Sequence, residues 1–137
     1  MKVTIIIPNY NGAHFLKPCL EKLKKQTFQD FETLVVDNGS EDGSLALLRE
    51  FYPEVRVISL EKNQGFSRAV NAGLRVSLAP YVILLNNDTE PEPGYVEALV
   101  KSIGRSKRIF SVSPKMIQLH DRGLIDDAGD LYTIVGW

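Results

Sequence analysis

One short polar segment combines the residue types that hold a divalent cation. Asn86, Asn87 and Asp88 follow an apolar run and precede Pro91. Mg²⁺ and Mn²⁺ prefer oxygen ligands, and Mg²⁺ is commonly held by one or two carboxylates together with substrate phosphate oxygens. We therefore expect Asp88 to bind Mn²⁺ or Mg²⁺, and Asn87 to help by hydrogen bonding or through a water molecule. The alternative is an ordinary polar turn before a proline.

A second carboxylate, Asp37, stands at the end of another apolar run and is followed by Asn38. Helix capping accounts for Asp42 or Ser44, whose oxygens can accept from the first free N–H groups of a helix, but it does not account for Asp37. A calcium loop starting at Asp37 is excluded because Gly39 and Glu41 occupy the next two ligand positions. A carboxylate here can accept the ring N–H of a pyrimidine. Asp37 and Asn38 are therefore candidate contacts to a nucleotide.

Two further turns contain candidate binding residues. Pro8, Asn9 and Tyr10 end the first apolar run, and the tyrosine with its neighbouring backbone groups offers a platform for a flat base. A simple strand-to-helix turn is the competing interpretation. Asn63 and Gly65 make another turn, directly before an amphipathic segment.

Arg68 lies at the start of that amphipathic segment. The free N–H groups that open a helix can face an anion, and an arginine can pair with a diphosphate in a two-pronged geometry. A solvated helix arginine is the alternative. No Gly-x-Gly-x-x-Gly pattern follows the first strand and no P-loop is present, so the sequence does not indicate either of those phosphate sites.

Alternating strand and helix patterns predict the scaffold that positions these turns. Short β-branched runs predict strands at 3–7, 33–36, 55–59, 81–85 and 109–112, and helical periodicity predicts helices at 13–25, 44–52, 67–77 and 94–101. This order favours an α/β fold with three layers, α/β/α, and a mainly parallel central sheet. Such sheets bind ligands at the carboxyl ends of their strands, where the candidate residues lie.

Composition and charge exclude several classes of protein. Sixteen Lys and Arg residues against seventeen Asp and Glu residues give a net charge of -1, which does not supply the basic field of a nucleic-acid binder. The single cysteine, Cys19, cannot form an internal disulfide, as expected in a reducing compartment. We find no signal peptide or membrane span in the sequence and expect a cytoplasmic protein, with the inner face of the cytoplasmic membrane as a further location.

Four motifs together resemble glycosyltransferase family 2. They are IIIPNYNG at 5–12, VDNGSEDGS at 36–44, NQGF at 63–66 and LNNDT at 85–89, each at the end of a predicted strand. The resemblance extends from Met1 to about Asp130. With the later DDAGD at 126–130, it is greatest for the group that contains rhamnosyltransferases and related polysaccharide enzymes.

This resemblance implies a GT-A fold, a UDP- or dTDP-sugar donor, a divalent cation and inversion at the anomeric carbon. The acceptor would be a saccharide or a lipid-linked molecule, whose hydroxyl displaces the nucleotide diphosphate in one in-line step. Pro8 to Tyr10 and Asp37 would contact the nucleoside, and Asp88 would be the last acid of an Asp-x-Asp-type metal motif. Asn86 stands where that motif has its first acid.

The resemblance also leaves parts of a complete enzyme unassigned. We expect residues 1–137 to be one nucleotide-sugar-binding domain in a truncated GT-A fold, with the acceptor-binding region absent and the general base beyond Trp137. None of Asp121, Asp126, Asp127 and Asp130 is assigned that role. A non-catalytic nucleotide-sugar-binding module and a nucleotidyltransferase are the alternatives, and association into a homodimer stays open.

Overall fold

The first strand lies in the middle of a parallel sheet, which explains why it is apolar through most of its length. The computed structural model describes residues 2–127. The strands β1, β2, β3 and β4 lie side by side in the order β3-β2-β1-β4, and all neighbours are parallel. Their bounds are Val3–Asn9, Phe31–Asp37, Arg56–Ser59 and Tyr81–Leu84. The predicted parallel sheet is thus confirmed.

Helices cover both faces of this sheet. The helices α1, α2, α3 and α4 span Ala13–Lys24, Ser44–Phe51, Phe66–Val76 and Tyr95–Ile103. A larger apolar cluster joins α1, α2 and α4 to one face, where it includes Ile5 and Ile7. A smaller cluster joins α3 to the other face, where it includes Ile6. Ile6 faces away from Ile5 and Ile7 because successive side chains of a strand point to opposite faces. Helices therefore cover both faces, and the three-layer α/β/α fold is confirmed.

Pro8 was expected to end the first strand, and this expectation is wrong. β1 continues to Asn9, and Pro8 pairs in register with Val36 of β2. On the other side of β1, the ladder with β4 runs only as far as Ile6 and Leu84. A proline has no N–H to donate, so it is tolerated where no neighbouring strand needs that hydrogen bond.

The strand predicted at 109–112 is also wrong, since this segment is irregular in the structure. Its residues Phe110 to Val112 lie near β4 and line, with Tyr81 and Leu99, a cavity of about 340 Å³. Apolar, β-branched residues favour a strand, but a strand also needs a partner in register. Beyond this segment, β5 (Met116–Ile117) and β6 (Ile125–Asp127) form a short antiparallel pair that the sequence pattern did not predict.

Between residues 2 and 127, no helix is long and apolar enough to span a bilayer. Asp130, the alanine and glycine of the DDAGD motif and Trp137 lie outside the described residues.

Candidate functional site

The carboxyl ends of β1, β2 and β4 meet at one edge of the sheet. The chain passes from β1 to β2 and β3 on one side and then returns to place β4 on the other side of β1. In parallel α/β sheets, ligands bind outside the carboxyl ends of the strands where the strand order reverses in this way. The turns that follow β1, β2 and β4 carry the residues singled out from the sequence.

Asn9 joins all three of these turns through its side chain. Its Nδ2 donates to Asp37 Oδ2 at 3.0 Å and lies 3.2 Å from Ser40 Oγ. Its Oδ1 accepts from Asn87 Nδ2 at 2.7 Å. Asn9 is only 2% exposed and stands directly opposite Asp37 in the β1–β2 register. The structure therefore brings Asn9, Asp37 and Asn87 together, as expected for residues at the carboxyl ends of neighbouring parallel strands.

Asp37 is completely enclosed at this edge, with 0% exposure. Its Oδ1 accepts from the Ser40 backbone N–H at 3.0 Å, and its Oδ2 accepts from Asn9. Both carboxylate oxygens therefore have partners within the protein. Contact with a nucleobase stays a prediction for Asp37, whose side chain is closed to solvent in this structure.

A second group of amide side chains links the turns after β2 and β3. Asn38 Nδ2 donates to Asn63 Oδ1 at 3.0 Å and to the Gly65 carbonyl at 3.3 Å. Its Oδ1 accepts from the Gln64 N–H at 2.9 Å. The Asn38 N–H itself donates to the Asn9 carbonyl at 2.8 Å, so the two groups are contiguous. Three of the predicted binding residues, Asn38, Asn63 and Gly65, thus shape one turn.

The turn between β1 and α1 passes very close to Asn87. Gly12 stands at this point, and a Cβ there would lie 2.2 Å from Asn87 Nδ2 and 2.6 Å from Asn9 Oδ1. The left-handed residue of the turn is Asn11, with φ of 51°, a conformation that asparagine tolerates better than most residues. Asn11 Oδ1 also accepts from the Glu41 N–H at 2.8 Å. Gly12 is needed here because it leaves room for Asn87.

Asp88 lies on an exposed turn directly after Asn87. The Thr89 hydroxyl closes this turn by donating to the Asn86 carbonyl at 2.7 Å. Beneath it, the Cys19 thiol lies 4.0 Å from the same carbonyl oxygen. Burial raises the pKa of Cys19 to about 12, against a smaller opposing effect of the Thr89 hydroxyl, and nearby Asp88 raises it further.

The donor set around Asp88 fits a cation that is shared with a substrate. Among residues 2–127, no three His, Cys, Asp or Glu side chains are grouped so that they could hold a metal ion by themselves. Asp88 contributes one carboxylate, and the neighbouring Asn87 amide has its nitrogen turned to Asn9. One carboxylate is what Mg²⁺ often takes from a protein when phosphate oxygens supply further ligands. Such a set does not fit a structural zinc site.

The other predicted residues line the same sheet edge and are more accessible. Pro8 is partly buried, whereas Tyr10 and Arg68 are exposed. Arg68 lies in the first turn of α3, directly after the Gly65 turn. Tyr10 lies between Asn9 and the left-handed Asn11. These exposed side chains are free to reach a ligand, whereas the buried amides hold the turns in place.

Asp42 contacts the start of α1 as well as the start of α2, the helix that follows it in the sequence. Its Oδ2 accepts from the Ala13 N–H at 2.8 Å, and its Oδ1 accepts from the Ser44 N–H at 3.1 Å. Burial by itself would raise the pKa of Asp42, but the hydrogen bonds from Ala13 and Ser44 outweigh burial and lower the pKa below its ordinary value of 3.8. Asp42 thus accepts from the first N–H group of both α1 and α2, whereas the N-cap residue of α2 is Gly43.

Sequence reasoning missed several residues that build the site. Ser40 joins Asn9 to the Asn11 backbone, where its Oγ accepts from the N–H at 2.9 Å. Gly12 makes room for Asn87, and Gln26 contacts the loop that carries Asp88 from below. Ser40 and Gly12 lie inside two of the four motifs, and this position could have marked them as site residues. Gln26 lies outside them, and only the three-dimensional arrangement indicates its position.

Comparison with known proteins identifies the family. The model of the family described as "Glycosyl transferase family 2" matches residues 4–124. The chain belongs to glycosyltransferase family 2. The resemblance inferred from the four motifs is therefore confirmed at the level of the family, whereas its rhamnosyltransferase-containing group stays a prediction.

A curated relative supports the same assignment, and a solved structure shows the same fold. The chain is 38% identical over 104 residues to glycosyltransferase GlyA of Streptococcus pneumoniae, which covers 74% of this chain but 15% of GlyA. The structure of S. aureus TarS residues 1–349 in complex with UDP superposes with a TM-score of 0.69 at 23% identity, covering 86% of this chain and 40% of that fragment. This likeness confirms the expected GT-A fold.

A third protein has a ligand and a metal in its structure. Mannosyltransferase PcManGT from Pyrobaculum calidifontis, in complex with GDP-Man and Mn²⁺, matches with a TM-score of 0.57 at 28% identity. The match covers 64% of this chain and 27% of PcManGT. The chain thus spans less than half the length of each of these three proteins.

Proposed function

We propose that residues 1–137 form the donor-binding domain of an inverting glycosyltransferase. It takes a sugar from a UDP- or dTDP-sugar and transfers it to a hydroxyl of a saccharide or lipid-linked acceptor. The observation that carries this proposal is the Asn9 side chain, which joins the turn at Asp37 to the turn that carries Asn87 and Asp88. One crevice can thereby contact both the nucleoside and the diphosphate of the donor.

Within this proposal, the exposed side chains bind the donor, and the buried amides hold the turns that carry those side chains. Tyr10 offers its ring to the nucleobase, since an aromatic face suits a flat base. Arg68 and the free N–H groups at the start of α3 face the diphosphate, which both a guanidinium and a helix N-terminus attract. The Asn38–Asn63 hydrogen bond fixes the turn that leads into α3. We expect these contacts to affect the affinity for the nucleotide more than they affect the rate of sugar transfer.

Asp88 is the residue proposed to hold Mn²⁺ or Mg²⁺, with the Asn87 amide beside it. A bound divalent cation neutralises charge on a departing diphosphate. The complex of the related PcManGT with GDP-Man and Mn²⁺ supports a divalent cation in the donor complex. Because the protein supplies one carboxylate here, we expect the cation to bind weakly without nucleotide and tightly with it.

A thermal-shift experiment with one variant tests the proposal. Wild type is melted with UDP-, dTDP- and GDP-sugars, each with and without Mn²⁺. The GDP-sugar is included because the PcManGT structure contains one. At a ligand concentration of a hundred times Kd, the expected stabilisation is about 2.7 kcal/mol, or roughly 10 °C in Tm. Asp88→Ala should abolish the Mn²⁺-dependent part of this rise, and its ligand-free Tm should match wild type because Asp88 is exposed.

Glu92→Ala is the matched control, because Glu92 is an exposed carboxylate further along the same loop. It should keep the Mn²⁺-dependent rise in Tm. An undiminished rise in Asp88→Ala would remove Asp88 from the metal role. Absence of stabilisation of wild type by every nucleotide sugar would contradict the proposed function as a whole.

A further inference from the structure

The loop that carries Asp88 lies along one side of α1 and the turn after it. The Cys19 thiol lies against the Asn86 carbonyl, and Lys22 Nζ lies 3.3 Å from Glu90 Oε2. The third contact, Gln26, follows four residues after Lys22. Spacings of three and four residues place side chains on one side of a helix. The loop at 86–93 therefore has a continuous support beneath it.

Gln26 makes three hydrogen bonds in this region and is only 3% exposed. Its Nε2 donates to the Glu92 carbonyl at 2.8 Å and to the Lys22 carbonyl at 3.3 Å. Its Oε1 accepts from the Val96 N–H at 3.0 Å, in the first turn of α4. One side chain thus joins the end of α1, the end of the loop and the start of α4.

The burial of Gln26 makes it more important than the neighbouring ion pair. Lys22 and Glu90 are partly exposed, and ion pairs in contact with water contribute little. Removing a buried amide leaves the Glu92 carbonyl and the Val96 N–H without their partner, which is costly. Asp88 lies four residues before Glu92 and is exposed, so its position depends on how firmly this loop is held.

We propose that Gln26 is a positioning residue that holds the 86–93 loop against α1 and so keeps Asp88 where the cation of the donor complex binds. The part of this inference that concerns the cation rests on the proposed function. The part that concerns the loop does not.

Cys19 provides a reporter for the loop that needs no ligand. It is the single cysteine of the sequence, it is buried, and the turn at 86–90 lies over it. A buried neutral thiol reacts with an aromatic disulfide reagent only after it becomes accessible and ionises. The rate of labelling of Cys19 under native conditions therefore measures how often this loop opens.

Gln26→Met is the test variant because methionine keeps the length of the side chain and removes its hydrogen bonds. We expect Cys19 to be labelled at least about tenfold faster than in wild type, since breaking one buried hydrogen-bonded contact commonly changes an opening equilibrium by this factor. Gln29→Met is the control: Gln29 lies in the same turn, and its side chain donates to the Gln26 carbonyl instead of to the loop. It should change the rate by less than about twofold.

Labelling is repeated in low concentrations of urea to separate opening of the loop from unfolding of the whole chain. A local opening exposes little surface, so its rate should scarcely depend on urea, whereas global unfolding has a steep dependence. Rates of Gln26→Met equal to wild type would overturn the proposal. Fast labelling with the steep urea dependence would overturn it too, because the variant would then act through overall stability.

A second measurement addresses Asp88. The Mn²⁺ concentration that half-saturates UDP binding is determined by calorimetry, together with the affinity for UDP without metal. Gln26→Met should raise the Mn²⁺ concentration about tenfold, as is common when a residue that orients a metal ligand is removed, and leave metal-free UDP affinity unchanged. An unchanged Mn²⁺ requirement would overturn the positioning role. If wild-type binding of UDP does not depend on Mn²⁺, the metal role proposed for Asp88 fails, and the labelling rates alone decide whether Gln26 holds the loop.

Discussion

Asn9 shows why the side-chain amide, and not a carboxylate, suits the middle of this site. Its nitrogen donates to the Asp37 carboxylate, and its oxygen accepts from the Asn87 amide. An aspartate at this position would place a second carboxylate against Asp37, and two buried carboxylates in contact disfavour their charged forms. An aliphatic residue would leave Asp37 Oδ2 and the Asn87 amide without this partner. The amide is the side chain that has one donor end and one acceptor end.

Replacing Asn9 therefore affects stability as well as binding. We expect Asn9→Ala to lower the free energy of unfolding by about 3 kcal/mol, because it leaves a buried carboxylate oxygen and the Asn87 amide without partners. Urea denaturation followed by circular dichroism measures this difference. Asn71→Ala, at an exposed position of α3, is the control and should change stability by less than about 0.5 kcal/mol. A similarly small effect of Asn9→Ala would show that these hydrogen bonds contribute little.

At the scale of elements, α1 begins without a cap of its own. Gly12 precedes the helix and has no side chain to offer, so the Ala13 N–H is paired with Asp42 from the turn after β2. The carboxylate also lies at the positive end of the α1 dipole, which favours its charged form. One residue thus ties the turn before α1 to the turn before α2.

This contact predicts a dependence of stability on pH. Because the pKa of Asp42 is lower in the folded chain than its ordinary value of 3.8, its contribution is fully present above that value and is lost as pH falls through the folded pKa. Asp42→Asn should be less stable than wild type at pH 6, and the difference should shrink towards pH 3. Urea midpoints measured between pH 3 and pH 6 test this. Parallel curves for the two proteins would contradict it.

Sequence patterns were sufficient for most elements because each has a strong local signal. The apolar run in β1 and the periodic leucines of α1 appear in the structure within two residues of their predicted ends. The segment at 109–112 has the same local composition and still forms no strand, since pairing depends on distant residues. The length of a strand also depends on its partners, as Pro8 shows.

The site was predictable in outline and not in its contacts. Parallel strands bring their carboxyl ends to one edge, so Asp37 and Asp88 were expected to share a crevice. The bond between Asn9 and Asp37 follows from the register of β1 with β2, which no local pattern specifies. The support under the Asp88 loop depends on Gln26, a residue whose partners are about 70 positions away along the chain.

At the scale of the whole molecule, the two faces of the sheet are covered unequally. α1, α2 and α4 pack on one face, whereas α3 packs on the other and contacts β1 and β2. Neighbouring residues of β4 show the difference: Ile83 is 9% exposed and Leu84 is 51% exposed. The stability of the molecule therefore depends mainly on the face that α1 covers.

The adjacent pair in β4 tests this asymmetry. Ile83→Ala should lower the free energy of unfolding by about 3 kcal/mol, as expected for a large buried side chain. Leu84→Ala should lower it by less than about 1 kcal/mol, because half of the side chain already contacts water. Each variant controls for the other, since both shorten a large aliphatic side chain in the same strand. Equal losses would show that the second face is as well packed as the first.

The strand order has a consequence for synthesis on the ribosome. Asn9 and Asn87, whose side chains meet in the finished site, are separated by 78 residues. At roughly 5 to 20 residues per second, the nascent chain waits about 4 to 16 s between the two. During this interval, one edge of β1 has no neighbouring strand, although β2 can already pair with the other edge. An apolar strand in that state attracts other chains, so we expect this protein to need chaperones most while β4 is still being made.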